Sequence, residues 1–347
     1  MQNQRIVITR PIPGPPEARL RAAAFDNIWV NPVDERLSRP ALLEAVRGAV
    51  AVLATPADTL INHEFFDAAG PQLSIVSNYA VGVDNIDLAE AKRRGLVIGH
   101  TPNAVTEPTA DIAWLLLLGA AKRAFEGQTL VRSGTWTGVA PHQLLGTRVH
   151  RKTLLIVGAG RIGLATARRS IGFEMPLLYV ARSQHPEFES PPFNARRVAL
   201  EDGLRQADFI SIHTPLSAET RHLINRQRLA LMKPTAYLIN TARGPIVDQK
   251  ALTQVLAARR IAGAGLDVLE QEPPEADDPI LKLDNVVLAP HALCWTDQCF
   301  AGNGAADVKA VLDIQHGRVP TGVVNRAVLD QPRFKARLDA YRGRFGA

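Results

Sequence analysis

Cysteine is nearly absent from this 347-residue chain: only Cys294 and Cys299 occur, with no CxxC pair. With no paired cysteines and no histidine at metal-ligand spacing, neither a disulfide framework nor a metal site is expected; the two thiols are expected to lie buried in one helical stretch. Long apolar runs are missing as well. The longest, Ile112 to Ala121, is too short to cross a bilayer and is bracketed by Asp111 and Lys122, so no membrane partner is expected. The start, MQNQRIVITR, lacks the basic region, apolar run and small-residue cleavage site of an export signal, which makes the cytoplasm the expected location. Basic residues exceed acidic ones by six, yet they are scattered, with no basic run interleaved with aromatics and no finger or helix-turn-helix pattern. Nucleic acid is therefore not an expected partner; the arginines read as solvated charges plus a few that meet anionic ligands.

What is present is an ordinary globular composition, 46% hydrophobic and 21% charged, in a chain too long for one core, which predicts two domains. Short apolar strands at Arg5 to Thr9, Val50 to Ala54, Leu73 to Val76 and Leu96 to Gly99 alternate with helical segments, the pattern of a parallel sheet covered on both faces. Thr106 to Gly127 reads as one long helix, with Pro108 tolerated in its first turn and Glu107 and Asp111 near its positive end. A second alternating series runs from Thr153–Val157 to Val286–Ala289. A helix from about Thr296 to His316 and an irregular tail follow. The C-terminal segment is expected to return to the first domain.

The best-defined motif is LLIVGAGRIGLATARR. Gly158 permits a tight turn after a strand, Gly160 lets backbone approach a pyrophosphate, and Gly163 lets strand and helix pack closely. Amides around Arg161 and Ile162 then face the anion from a helix N-terminus. Some twenty residues on, where an NAD enzyme carries an acid for the ribose 2′-hydroxyl, the strand Leu177 to Val180 runs into Ala181, Arg182 and Ser183. A guanidinium and a hydroxyl suit a 2′-phosphate, so NADP(H) is favoured, with NAD(H) left open as a second cofactor.

Three later segments carry groups suited to hydride transfer to a carbonyl: LINTARGPIVD with Arg243, AGLDVLEQEPPE with Glu272 and LAPHALCW with His291. Reduction of a 2-keto acid needs a cation for the carboxylate and carbonyl, and a proton donor for the nascent alkoxide. A carboxylate beside a histidine favours the protonated imidazole. Spacing by itself does not bring these residues together.

The segments NYAVGVDNIDL, TPNAVTEPTAD, GAGRIG, HTPLSAETRHLIN, NTARG, LDVLEQEP and the pair Pro290–His291 occur in an order that resembles the D-isomer-specific 2-hydroxyacid dehydrogenase family over roughly residues 50 to 320. The resemblance implies that Arg243 binds the substrate carboxylate and carbonyl, that His291 is the acid/base and that Glu272 pairs with it. It also implies that Asp267 meets the nicotinamide carboxamide and that amides near Val81 and Gly82 hold the substrate carboxylate. His213, Thr214, Pro215, Thr241 and Ala242 join the cofactor set, His213 as a strand-end residue shaping the nicotinamide pocket and not as a second acid. The fold implied is α/β, with two doubly wound parallel-sheet domains. Residues 103–290 would form the Rossmann NADP(H)-binding domain; residues 1–102 with 291–347 would form a discontinuous, flavodoxin-like substrate domain. A homodimer is implied, with the helix from Thr106 and the following segment taking part and Trp136 packed at the interface. The expected activity is NADPH-dependent reduction of a small, glyoxylate- or hydroxypyruvate-like 2-keto acid to a D-2-hydroxy acid. A phosphite-type dehydrogenase, or a non-catalytic nucleotide-sensing corepressor or scaffold, stands as the alternative. One departure concerns Ala292, Leu293, Cys294 and Trp295, where many relatives have small residues: bulky groups there narrow the pocket or line it for an apolar tail, with Trp295 as the substrate-binding candidate.

Overall fold

The computed structural model describes residues 4–56 and 60–345. The chain divides into two compact units, Met1–Val105 with Trp295–Ala347, and Thr106–Cys294. Among the described residues, no helix is long and apolar enough to cross a membrane.

The first unit is built on strands β1 (Arg5–Ile8), β2 (Ile28–Val30), β3 (Ala49–Ala54), β4 (Ile75–Asn78) and β5 (Val97–His100), hydrogen-bonded in the order β2-β1-β3-β4-β5, with every pairing parallel. β3 reads AVAVLA and is buried throughout, because helices cover both faces of a parallel sheet and leave no solvent side for polar alternation. One face packs on the helix Asp297–Gln315, whose Thr296 cap accepts a hydrogen bond from the Cys299 amide. Only Cys299 lies in this helix and is buried; Cys294 is half-buried and precedes it, which corrects the expectation that the two thiols share a helix. The expected irregular tail is also corrected. Pro332–Phe345 is a helix, because Pro332 suits a first turn and Phe334, Leu338 and Tyr341, four and three residues apart, form a buried stripe.

Under this sheet, Ser77 at β4 donates a hydrogen bond of 2.5 Å to Asp307, which is fully buried and has no ion-pair partner among the described residues. Burial pushes the Asp307 carboxyl from 3.8 up to about 7, the Ser77 bond opposing it weakly. The folded state thus keeps a proton that the unfolded chain has released between about pH 4 and 7, and stability falls as pH rises through that window. Asp307→Asn keeps an acceptor for Ser77 and removes the charge. Its melting temperature should exceed that of the wild type at pH 8, by an amount reflecting on the order of 2–4 kcal/mol, and approach it near pH 5. Equal melting temperatures at pH 8 would rule out this account of Asp307.

The second unit holds β6 (Leu154–Val157), β7 (Leu177–Val180), β8 (Arg196–Arg197), β9 (Phe209–Ile212), β10 (Tyr237–Asn240), β11 (Gly263–Leu266) and β12 (Val286–Leu288). Their order is β12-β11-β10-β9-β6-β7-β8, again wholly parallel. The strand order reverses between β6 and β9, where a doubly wound sheet opens a crevice at its carboxyl edge. One face is covered by the helix Thr106–Lys122, in which Trp114 donates to the Thr166 carbonyl at 2.9 Å and stacks on Phe173. The expected single helix from Thr106 to Gly127 is broken. Arg123 adopts φ 53°, held by an ion pair with Glu126, and a second helix, Ala124–Arg132, starts from it.

Candidate active site

Four groups of turns at the carboxyl edge of the seven-stranded sheet carry the polar groups of the second unit. The first follows β6. Gly158 has φ +107°, and a Cβ there would stand 2.7 Å from the His213 carbonyl and the Thr214 nitrogen, so only glycine lets the turns after β6 and β9 meet. A Cβ on Gly163 would lie 2.2 Å from the Gly158 oxygen, whereas one on Gly160 would meet nothing within 4 Å. Gly160 caps the helix Arg161–Ser170 without a side-chain hydrogen bond, and the amides of Arg161 and Ile162 have no acceptor among the described residues. This is the cradle a pyrophosphate requires.

The second turn follows β7, where Arg182 and Ser183 are exposed and no carboxylate is present. The third follows β9. His213 is half-buried and bonded to the Ser211 hydroxyl at 2.8 Å, and loss of solvation pushes its imidazole down to about 3, so it is neutral at any ordinary pH and no source of protons. Thr214 is half-buried and Pro215 exposed beside it.

The fourth group lies after β10, β11 and β12. Asn240 ends β10 and turns the chain with its own amide: Oδ1 accepts from the Ala242 nitrogen at 3.0 Å, and Nδ2 donates to the Arg243 carbonyl at 2.9 Å. Arg243 then donates from Nη1 to the Ala242 carbonyl at 2.7 Å. Gly244 follows because a Cβ there would lie 1.8 Å from the Leu269 oxygen; the arginine turn and the turn beyond β11 pack backbone on backbone. That second turn fixes Glu272, whose Oε1 accepts from the Leu269 amide at 2.9 Å while Oε2 meets His291 Nδ1 at 2.8 Å. Burial pushes the Glu272 carboxyl up, but the hydrogen bond and charge of His291, the Leu269 amide and Arg243 together hold it below its ordinary value. Glu272 is therefore ionised across the neutral range. His291 itself has φ 55°, a left-handed conformation uncommon outside glycine. With Nδ1 engaged by the carboxylate, Nε2 is the ring nitrogen left for another partner.

Two buried atoms nearby lack hydrogen-bond partners among the described residues: Asp267 Oδ1, just past β11, and Thr241 Oγ1, just past β10. Burial pushes Asp267 up to about 6, against the attraction of His291. Such orphaned groups are costly unless a ligand satisfies them, and an amide offering an N–H and a carbonyl does so. A dinucleotide fits the residues on these turns.

In the first unit, the turn after β4 carries Val81 and Gly82, whose amides have no acceptor among the described residues. Their carbonyls are held by His100 Nδ1 at 3.0 Å and Asn78 Nδ2 at 2.7 Å, which fixes the turn. Trp295 is 56% exposed and edge-on to Phe300, which stacks on Tyr79 at the start of this turn. Tyr79, Phe300 and Asn240 are site residues that the sequence does not single out. Asn240 had a signal, an asparagine at a strand end before a polar turn; the two aromatics had none, being 221 residues apart.

Residues 114–292 match the family described as D-isomer specific 2-hydroxyacid dehydrogenase, NAD binding domain. A curated glyoxylate reductase from Thermococcus onnurineus is 45% identical over 330 residues, covering 94% of this chain and 97% of its own. The chain belongs to the D-isomer-specific 2-hydroxyacid dehydrogenase family. It is accordingly an NAD(P)-dependent oxidoreductase. Solved structures of this family agree in fold. The NADPH-dependent glyoxylate/hydroxypyruvate reductase from Sinorhizobium meliloti, in complex with NADP and malonate, superposes with a TM-score of 0.80 at 27% identity, covering 93% of this chain and 98% of that one. The D-lactate dehydrogenase from Aquifex aeolicus, complexed with NAD and lactic acid, gives 0.79 at 27% identity, covering 90% and 96%. A nicotinamide dinucleotide is thus the cofactor of this dehydrogenase, and relatives of similar likeness carry either form.

Proposed function

We propose that this dehydrogenase reduces a small 2-keto acid of the glyoxylate or hydroxypyruvate kind to the D-2-hydroxy acid, with NADPH preferred. The observation that carries the reaction type is the Glu272–His291 pair at 2.8 Å on a turn packed against that of Arg243. The bound nicotinamide supplies the hydride. Gly158, Gly160 and Gly163 with the Arg161 and Ile162 amides hold its pyrophosphate, Arg182 and Ser183 after Ala181 meet the 2′-phosphate, and His213, Thr214, Pro215, Thr241, Ala242 and Asp267 border the remainder. Arg243 orients the keto acid through its carboxylate and polarises the C2 carbonyl, so that negative charge developing on oxygen meets a fixed guanidinium. His291 gives its Nε2 proton to that oxygen, and ionised Glu272 stabilises the imidazolium before transfer and fixes the ring throughout. The amides of Val81 and Gly82 contribute to carboxylate binding, and Trp295 to contact with the remainder of the substrate.

The chain is further proposed to act as a homodimer. The helix Ala124–Arg132 buries none of its residues, and Phe125, Val131, Trp136, Val139 and Leu145 stand exposed within one stretch. That is far more apolar surface than a solvated helix needs, and a second copy of the chain covers it.

Dinucleotide oxidation with glyoxylate and hydroxypyruvate tests the reading. A kcat/KM at least about tenfold higher with NADPH than with NADH is expected, since 2′-phosphate recognition adds charge-assisted hydrogen bonds. A preference for NADH would overturn the cofactor assignment; tight dinucleotide binding with no keto-acid turnover would overturn the reaction. Sedimentation velocity of the same preparation should give a dimer, and a monomer at micromolar concentration would refute the interface.

A further inference from the structure

β8 is an edge strand of only two residues, Arg196 and Arg197, both exposed. Charge on a sheet edge is ordinary, since it discourages pairing with another chain. The two arginines nevertheless point to different tasks. Arg196 reaches back to Gln206 at 2.6 Å, whereas Arg197, in register with Tyr179 on β7, reaches forward past the strand end. Its Nε donates to the Ala181 carbonyl at 3.0 Å and its Nη2 to the Arg182 carbonyl at 2.8 Å.

Those two carbonyls belong to consecutive peptide groups. In a trans peptide the N–H points opposite to the C=O, so fixing both oxygens on the guanidinium turns the amides of Arg182 and Ser183 to the other side of the turn. Neither amide has an acceptor among the described residues. The same turn carries the Arg182 guanidinium and the Ser183 hydroxyl. Acids that could neutralise it are engaged elsewhere, Glu187 with His185 and Glu189 with the Tyr179 hydroxyl, and neither Arg182 nor Arg197 has a carboxylate partner among the described residues. Consecutive free amides beside an unneutralised cation form an anion-binding nest.

We propose that Arg197 is a positioning residue for the 2′-phosphate: it clamps the turn after β7 so that the Arg182 and Ser183 amides present together to the phosphate oxygens. The inference rests on the reading that this dehydrogenase prefers NADP(H). Arg197 acts through the peptide groups and makes no contact with the phosphate, since the amides lie on the side of the turn away from its guanidinium. Its contribution is preorganisation, because an unclamped turn must order itself when the phosphate binds.

The test is calorimetric binding of NADP⁺ and NAD⁺ to the full chain, with thermal melting of each variant. Arg197→Leu is expected to weaken NADP⁺ by about tenfold while changing NAD⁺ by less than about twofold. Arg197→Lys, which reaches one carbonyl in place of two, should fall between. Arg182→Leu gives the loss of the direct phosphate contact for comparison. If the wild type binds NADP⁺ no tighter than NAD⁺, the cofactor reading itself fails. If the wild type favours NADP⁺ and Arg197→Leu keeps the same ratio, the cofactor reading stands and the clamp is refuted. Equal weakening of both dinucleotides, or loss of the folded state in both variants, would make Arg197 a strut of the sheet edge and also refute it.

Discussion

His291→Asn is expected to lower kcat for keto-acid reduction by a factor of about 10²–10⁴ while leaving dinucleotide affinity unchanged. Asparagine is the informative replacement because the position has φ 55°, which asparagine tolerates better than most residues, so the turn survives the loss of the imidazole. The size of the effect follows from the ring's two nitrogens. Nδ1 is held by Glu272 at 2.8 Å, which leaves Nε2 to protonate the oxygen as the hydride arrives. Without that proton, a free alkoxide must form and wait for water. Glu272→Gln should cost less than His291→Asn, since the acid is still present and only its orientation and charge stabilisation are weakened. The Glu272 carboxyl lies below its ordinary value, so Glu272 stays ionised above the unfolded carboxylate range, and what its charge contributes is lost only as pH falls through the depressed value. Acid inactivation at pH 5 or 6 should therefore not be traceable to Glu272. A His291→Asn enzyme that retained kcat within about tenfold would remove His291 from the mechanism.

The second large effect is at Arg243. Arg243→Leu should lower kcat/KM by about 10³, with the loss divided between the two constants. Recognition of the carboxylate is made equally in ground state and transition state, and its loss raises KM. Polarisation of the carbonyl strengthens only as charge develops, and its loss lowers kcat. Arg243→Lys separates the contributions, because an ammonium keeps the charge but lacks the planar fork that spans carboxylate and carbonyl. It should recover part of kcat and little of KM. The side chain is positioned by its own turn, through Asn240 and the Gly244 contact with Leu269, so neither change should alter the fold. A leucine variant with unchanged KM and reduced kcat would mean that another group binds the carboxylate.

Where local signals compete, the fold departs from what hydropathy and spacing imply. Gly158, Gly160 and Gly163 are legible from their spacing after a strand, and the structure supplies the clashes that a Cβ would make at Gly158 and Gly163, while Gly160 leaves the approach to the helix N-terminus open. The wholly parallel pairing of both sheets is legible from the alternation of apolar runs with helices. The break at Arg123 is not: the residues on both sides favour helix, and a left-handed arginine held by Glu126 leaves no mark in hydropathy. The C-terminal helix leaves little mark in the sequence because Phe334, Leu338 and Tyr341 are diluted by arginines and a lysine, and their stripe matters only against the core they cover.

By itself, then, the sequence determined the two α/β series, the glycine cradle, the missing acid after β7 and the residue types of the candidate site, because each depends on backbone conformation or side-chain chemistry confined to a short segment. The tertiary structure alone decided which of those residues meet. It put the carboxylate of Glu272 on the ring of His291, left Asp267 and Thr241 with atoms unsatisfied among the described residues, and turned Arg197 onto the carbonyls of Ala181 and Arg182. These contacts depend on distances between separate strand ends. The register and order of a parallel sheet set those distances, and no spacing along the chain encodes them.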